Sequence, residues 1–308
     1  MSILYFLESI RTPVLNILGT GVTFLGSETF LLIVLAVTYW CCDKDLGYRL
    51  AFSYTIAGSV NCALKIGFRV PRPWVKDPSF TTVSGAQSDA AGYSFPSGHS
   101  NNIGVIGTTF FLGTKSVVIK IIAIALMVLV PVSRMYLGVH TLADVCVGLG
   151  LAIIISLIVN CVMARTLVDK KSLSPIMFAM LIVPAALLIF ALAMYYNGLV
   201  DYDNMADSIK SSGAFFGFII GWYIEKTKIN FNVRCSKLWK QAVKLVIGFA
   251  VVLAIKSGLK EVFLLIGDEF WPGDFIRYFL MTFFAMGIYP WFIKKFFSSK
   301  VPYRRSLM

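Results

Sequence analysis

Apolar residues fall in long runs along this chain, and polar residues gather in the gaps between them. Two runs, 145–164 and 172–200, contain no charged residue, and a helix that crosses a bilayer needs about 20 mostly apolar residues. Further runs at 30–42, 46–68, 97–113, 117–132, 211–224, 241–265 and 275–293 are shorter or carry isolated charges. The pattern predicts an all-α protein, a polytopic transmembrane helical bundle of about nine spanning helices. The segment 3–26 is apolar but holds Glu8, Arg11 and several Gly and Pro residues, and reads as interfacial or re-entrant. Trp40, Trp222, Trp271 and Trp291 sit near predicted span ends, where an aromatic belt would place them. Pro131, Pro184 and Pro290 fall inside or at the edge of spans, where membrane helices tolerate kinks. One long polar stretch, 69–93, interrupts the pattern, and loops of that length are usually functional or disordered.

Composition narrows the class. Hydrophobic residues make up 57% of the 308 and charged residues 14%, with a mean hydropathy of +0.77. Soluble domains carry about a quarter charged residues, so a soluble domain, a disordered chain and a coiled coil are all excluded. An outer-membrane barrel would show alternating strands of about ten residues instead of unbroken apolar runs. The net charge of +12 does not point to nucleic acid, because the basic residues lie between apolar segments and not on a soluble face. Most of them collect in alternate loops: Lys44 and Arg49, Lys115 and Lys120, Arg165 to Lys171, Lys226 to Lys244, and the tail after Lys294. By the positive-inside rule those loops and the C-terminus are cytoplasmic, and the 69–93 loop lies outside. The six cysteines have no zinc-like spacing and read as small apolar residues. The start of the chain has neither the basic opening nor the cleavage site of a secretory leader.

Three polar clusters fall at outer ends of spans: Lys65 through Arg72 to Pro73, then Pro96-Ser97-Gly98-His99, then Ser133-Arg134 followed by His140 and Asp144. Cations at Lys65, Arg72 and Arg134 suit an anion with several equatorial oxygens, Arg as a bidentate fork and Lys as a point charge. Any one of them alone would as readily snorkel to the headgroups. Ser97 and Gly98 open a helix whose free N–H groups favour an anion; without the cations they would be a plain capped turn. His140 and Asp144 are one turn apart on one helix face. Asp144 can take the proton-bearing ring nitrogen of His140 and leave the other free to attack. His140 is therefore the candidate nucleophile, and His99 the candidate acid and base for leaving group and water. These are the only two histidines in the chain.

Arg69 and Lys76 flank the site but read as solvated loop charges, and Asn101 and Asn102 are further candidates to line the pocket. Lys256, Lys260 and Glu261 lie within an apolar run and take no catalytic role. The motif regions hold no carboxylate cluster for a two-metal site, so neither metal nor other cofactor is expected.

The three clusters together resemble the signature motifs of the type 2 phosphatidic acid phosphatase family, in the acid phosphatase and vanadium haloperoxidase superfamily. The resemblance covers about residues 30–195 and is similar to the six-helix core of the family's membrane members. It implies a core over 28–195 preceded by an N-terminal segment, 1–27; the apolar runs of 196–308 add a three-helix transmembrane region that the resemblance does not place. It also implies a metal-independent hydrolase that frees phosphate from a lipid monoester or diphosphate through a phosphohistidine. The catalytic residues would be His140, His99 and Asp144, with Lys65, Arg72, Ser97, Gly98 and Arg134 on the phosphate. The expected partners are a lipid phosphate and the surrounding lipids, at the outer face of a cell membrane. Vanadate-dependent halide oxidation uses a similar anion pocket, but those enzymes are soluble; non-catalytic lipid-binding relatives have degenerate motifs, whereas these are complete.

Overall fold

The structure, a computed structural model, describes residues 1–88, 90–166, 173–235 and 237–298. It is helical throughout, and among the described residues the isolated bridge Cys235–Ser298 is the only β pairing. The chain forms two compact units: Met1–Val34 with Phe52–Cys161, and Leu35–Ala51 with Val162–Met308.

The helices in chain order are α1 Ser2–Ser9, α2 Pro13–Phe24, α3 Glu28–Ala36 with a π-helical continuation to Cys42, and α4 Lys44–Phe68. A one-turn α5 at Pro73–Lys76 precedes α6 Gly98–Gly113, α7 Val117–Tyr136, α8 Leu142–Thr166 and α9 Leu173–Tyr196. Then come α10 Tyr202–Ile224, α11 Leu238–Leu264, α12 Trp271–Phe283 and, after a π turn, α13 Tyr289–Phe292. Several starts follow from capping. Thr12 accepts from the Leu15 amide ahead of Pro13, Ser97 from Ser100, Ser116 from Ile119 and Asp201 from Asn204.

Among the described residues, five helices are long and apolar enough to cross a membrane: Val117–Tyr136, Leu142–Met163, Leu173–Tyr196, Trp239–Leu264 and Trp271–Phe297. The bent pair Pro13–Phe24 and Glu28–Cys42, angled by 46°, makes a sixth if it is one broken span. The expected nine also included α4, α6 and much of α10. These helices carry buried polar residues, such as Ser53, Ser59 and Asn61 on α4, Ser100, Asn101, Thr108 and Thr109 on α6, and Ser208 and Ser212 on α10. Among the described residues none of the three is both long and apolar enough to cross a membrane, α6 having only 16 residues, so the expected count of nine is not met. Two of the four expected belt tryptophans are misassigned. Trp40 and Trp222 are 3% and 0% exposed and belong to the interior of the second unit, whereas Trp291 is 46% exposed.

In the first unit residues 69–88 and 90–93 fold down as a cap. Tyr5 donates to Asp77 at 2.6 Å, Arg11 donates to the Thr81 carbonyl at 2.9 Å, and Phe80 and Val83 are buried. In the second unit α10 lies directly against α12. Gly213, Gly217 and Gly221 form a row along α10, and a Cβ at either of the first two would collide with the carbonyl oxygens of Phe275 and Phe279. Small residues spaced one turn apart let membrane helices approach this closely. Thr282 fastens the contact by donating to the Ala214 carbonyl at 2.8 Å. Lys44 and Glu225 form a buried ion pair at 3.1 Å in the same unit, completed by Asn230 and the Phe231 backbone.

Gly217→Val should force α10 and α12 apart and cost about 1–3 kcal/mol, as overpacking does. The checking measurement is the thermal unfolding midpoint in detergent; a midpoint equal to that of the unaltered protein would contradict the close-packed row.

Candidate active site

The site is assembled in the first unit from four stretches of chain. Lys65 occupies the last turn of α4, which ends at Arg69 in a left-handed conformation (φ 52°). Pro71 and Pro73 then prevent the helix from continuing. Arg72 sits between them and is 5% exposed. Its Nε donates to the Gly92 carbonyl at 3.0 Å, its two terminal nitrogens to the carbonyls of Val139 and Ala91 at 2.9 Å each, and one of these also reaches Nε2 of His140 at 3.0 Å. Burial pulls the Arg72 guanidinium down to about 10, opposed by the charge of Asp144, so it remains a cation at neutral pH. Lys65 donates to the Tyr93 carbonyl at 3.4 Å, and Arg134, 1% exposed near the end of α7, donates to Thr23 at 3.0 Å.

His140 follows the turn between α7 and α8 and is 2% exposed. Its Nδ1 is 3.5 Å from Oδ2 of Asp144. That same oxygen accepts from the Ser94 hydroxyl at 2.6 Å and from the Thr141 amide at 2.7 Å. Asp144 returns the second bond by donating its amide to Thr141 Oγ1 at 3.3 Å. This is a reciprocal cap on α8, so one carboxylate both starts the helix and orients the imidazole.

The cis Phe95–Pro96 bond leads into α6. Ser97 is fully buried; its amide donates to the Asp144 carbonyl at 2.9 Å and its oxygen accepts from the amide and hydroxyl of Ser100. The Ser97 amide is thus spent on structure. The amides of Gly98 and His99 open the helix and have no partner within it. A Cβ on Gly98 would meet nothing within 4 Å, so the space beside those amides is open. The charges of Lys65, Arg72 and Arg134 act on both His99 and His140, which places the three cations and two histidines in one neighbourhood.

The remaining sequence candidates separate. Arg69, just past α4, and Lys76, at the end of α5, are both exposed. Asn101 is buried, and Asn102 donates to the Gly26 carbonyl at 3.1 Å, which ties α6 to the end of α2. Four contributors escaped the sequence reading: Ser94, Thr141, Thr23 and Gly148. Thr141 was findable, since a Thr three residues before Asp144 at a helix start is a capping signature. Gly148 was not; a Cβ there would come 2.5 Å from the Ser97 carbonyl oxygen, a contact between helices distant in sequence. Among the described residues no three His, Cys, Asp or Glu side chains gather as metal ligands would.

Burial holds His140 well below its ordinary value of 6.5, aided by the charges of Arg72, Arg134 and Lys65 and opposed by the bond to Asp144. The imidazole is therefore neutral at physiological pH. In the unfolded chain it would titrate near 6.5. As pH falls from about 7 toward 4 the unfolded state takes up a proton that the folded state refuses, and stability falls. The thermal midpoint in detergent should drop more steeply over this range for the unaltered protein than for His140→Asn; parallel curves would refute the assignment.

The family profile described as PAP2 superfamily matches residues 46–168, and one described as PAP2 superfamily phosphatase, transmembrane extension, matches residues 209–300. Phosphatidylglycerophosphatase B of Bacillus subtilis (strain 168) is 30% identical over 162 residues, which are 49% of this chain and 76% of that protein. Sphingosine-1-phosphate phosphatase 2 of Mus musculus is 28% identical over 212 residues, 65% of this chain and 56% of that one. The crystal structure of Aquifex aeolicus LpxE superposes with a TM-score of 0.47 at 26% identity, covering 51% of this chain and 92% of that one.

Proposed function

Because the chain belongs to the PAP2 superfamily of membrane phosphatases, we propose that it frees phosphate from a lipid phosphate through covalent attachment to His140. The observation that carries this reading is the polar chain Asp144–His140–Arg72. Asp144 faces Nδ1, and Arg72 donates to Nε2, so the proton belongs on Nδ1 and the lone pair on Nε2.

A phosphate entering the site takes over the donation that Arg72 now makes to Nε2. Lys65, Arg72, Arg134, the amides of Gly98 and His99 and the Ser97 hydroxyl hold its oxygens. Nε2 of His140 forms a bond to phosphorus while the bond from phosphorus to the lipid oxygen breaks. His99 gives that oxygen its proton. His99 then takes a proton from water, whose oxygen bonds to phosphorus as the N–P bond breaks, and inorganic phosphate leaves. Asp144, anchored by Ser94 and Thr141, answers the charge that develops on His140, and the contact of 3.5 Å shortens as it does.

The substrate reading rests on the relatives and on the membrane setting. The two similar enzymes are named for a phosphatidylglycerol phosphate and a sphingoid phosphate; phosphatidic acid and undecaprenyl diphosphate present the same reacting group. A lipid whose tail stays in the bilayer avoids an extraction cost of about 0.8 kcal/mol per CH₂. Long-chain lipid phosphates are therefore preferred over soluble sugar phosphates, and release assays on that panel of four in one set of micelles would rank them.

His140→Ala should lower turnover by several orders of magnitude, as removal of a covalent nucleophile does elsewhere. In an acid-stable-label experiment the opposite holds for phosphohistidine: a ³²P label trapped from substrate should survive alkali, vanish in acid, and be absent from His140→Ala. Near-normal turnover in that variant would sink the mechanism.

The catalytic side is assigned to the outside of the cell and the C-terminus to the cytoplasm, on the loop distribution of Lys and Arg. A cysteine introduced at Gly85 should react with an impermeant reagent in intact cells, and one at Lys115, beyond the other end of α6, only after permeabilisation. The reverse pattern would invert the topology.

A further inference from the structure

The second unit holds a cleft of about 580 Å³ that the reaction does not use. It opens between α10, α11 and α12, and its walls carry charges of both signs. Lys256 and Lys260 stand one turn apart on α11, inside the apolar stretch Trp239–Leu264. Lys256 lies about 12 Å along the helix from its end, at 1.5 Å per residue. On the other walls are Asp203, in the first turn of α10, and Asp268, in the turn before α12.

Two further charges in the cleft are already answered. Arg277, 8% exposed, pairs with Asp274, which also accepts from the Tyr202 hydroxyl at 3.1 Å, and Lys210 pairs with Asp207 at 3.6 Å. Arg277 keeps a buried Nε with no hydrogen-bond partner. Lys256, Lys260, Asp203 and Asp268, by contrast, take part in no ion pair or side-chain hydrogen bond among the described residues. All four side chains are exposed, so their charges stand open to whatever enters the cleft. The aromatic rings of Tyr202, Phe270 and Tyr278 complete the walls, Tyr278 beneath the Arg277 guanidinium.

The complement of two free cations and two free carboxylates is a ligand that carries both charges. We infer that this cleft seats the headgroup of a zwitterionic phospholipid, its phosphodiester against Lys256 and Lys260 and its ammonium against Asp203 and Asp268. The size agrees, since pockets for small ligands run from about 300 to 1,000 Å³. The lipid is bound and not turned over, as Ser257 lines the cleft without a histidine beside it to activate it. The assignment is independent of the chemistry at His140.

The test is native mass spectrometry of the full chain in detergent, titrated with phosphatidylethanolamine, phosphatidylglycerol or soluble glycerophosphoethanolamine. One phosphatidylethanolamine should be retained per chain, in preference to phosphatidylglycerol. Lys256→Gln with Lys260→Gln should weaken it about tenfold or more, as expected for lost charge-assisted contacts. Asp203→Asn with Asp268→Asn should abolish the preference for the amine-bearing lipid while leaving phosphatidylglycerol binding intact. His140→Ala should bind as the unaltered protein does, whatever becomes of turnover. Unimpaired phosphatase activity of both double variants would show that they are folded. Equal retention of the two lipids by all proteins would overturn the proposal. So would a preference for phosphatidylglycerol that only the lysine variants lose, which would mark an anionic-lipid site. Competition by glycerophosphoethanolamine at the concentration of the lipid would overturn the lipid assignment in favour of a soluble ligand.

Discussion

The active site depends on one buried cation that is held without a carboxylate. Arg72 is satisfied by the carbonyls of Ala91, Gly92 and Val139 and by His140. A carboxylate partner would stabilise it better in isolation, but would also cancel the charge that an incoming phosphate must meet. Backbone carbonyls satisfy the donors and leave the net charge in place. Because those carbonyls come from two separate stretches, the same bonds fix the loop before α6 and the turn before α8. Burial lowers the guanidinium only to about 10, so the site remains cationic at working pH. Burial, aided by the same uncancelled charge, keeps His140 neutral.

Asp144 is the counterweight. It takes two donors on a single oxygen, from Ser94 and Thr141, with Nδ1 of His140 3.5 Å away, and its backbone carbonyl takes the Ser97 amide. The cap of one helix is thereby bonded to the cap of another. Gly148, one turn further along α8, leaves room for the Ser97 backbone. A site whose parts must hold to about half an ångström is better carried on helix ends than on free loops, and here both histidines sit at such ends.

The second unit solves a different problem, that of packing helices where lipid offers no hydrophobic drive to associate. The glycine row on α10 brings its backbone against that of α12. The Lys44–Glu225 pair, with Asn230 and the Phe231 backbone adding further bonds, closes the far end of α10. Removing either partner would strand the other charge, at roughly 3–5 kcal/mol.

What the chain dictates by itself is whatever depends on local order along it. The apolar runs specified an all-α membrane protein, and three short motifs specified which side chains gather in one neighbourhood, because one-turn spacing and helix-start position survive into three dimensions. The Thr141–Asp144 cap belonged to the same legible class and was overlooked. The glycine row of α10 was also written in the sequence, but its partner was not. Tertiary structure alone decided what depends on enclosure. Ser53, Asn61, Thr109 and Ser212 are polar residues within predicted apolar runs, and enclosure by neighbours buries all four. Trp40 and Trp222 read as belt residues and are interior. Ser94 and Gly148 have no local signal for their contacts with Asp144 and Ser97. The physical reason is the same in each case: hydropathy and periodicity measure what a residue prefers, whereas neighbours that arrive from elsewhere in the chain determine what it meets.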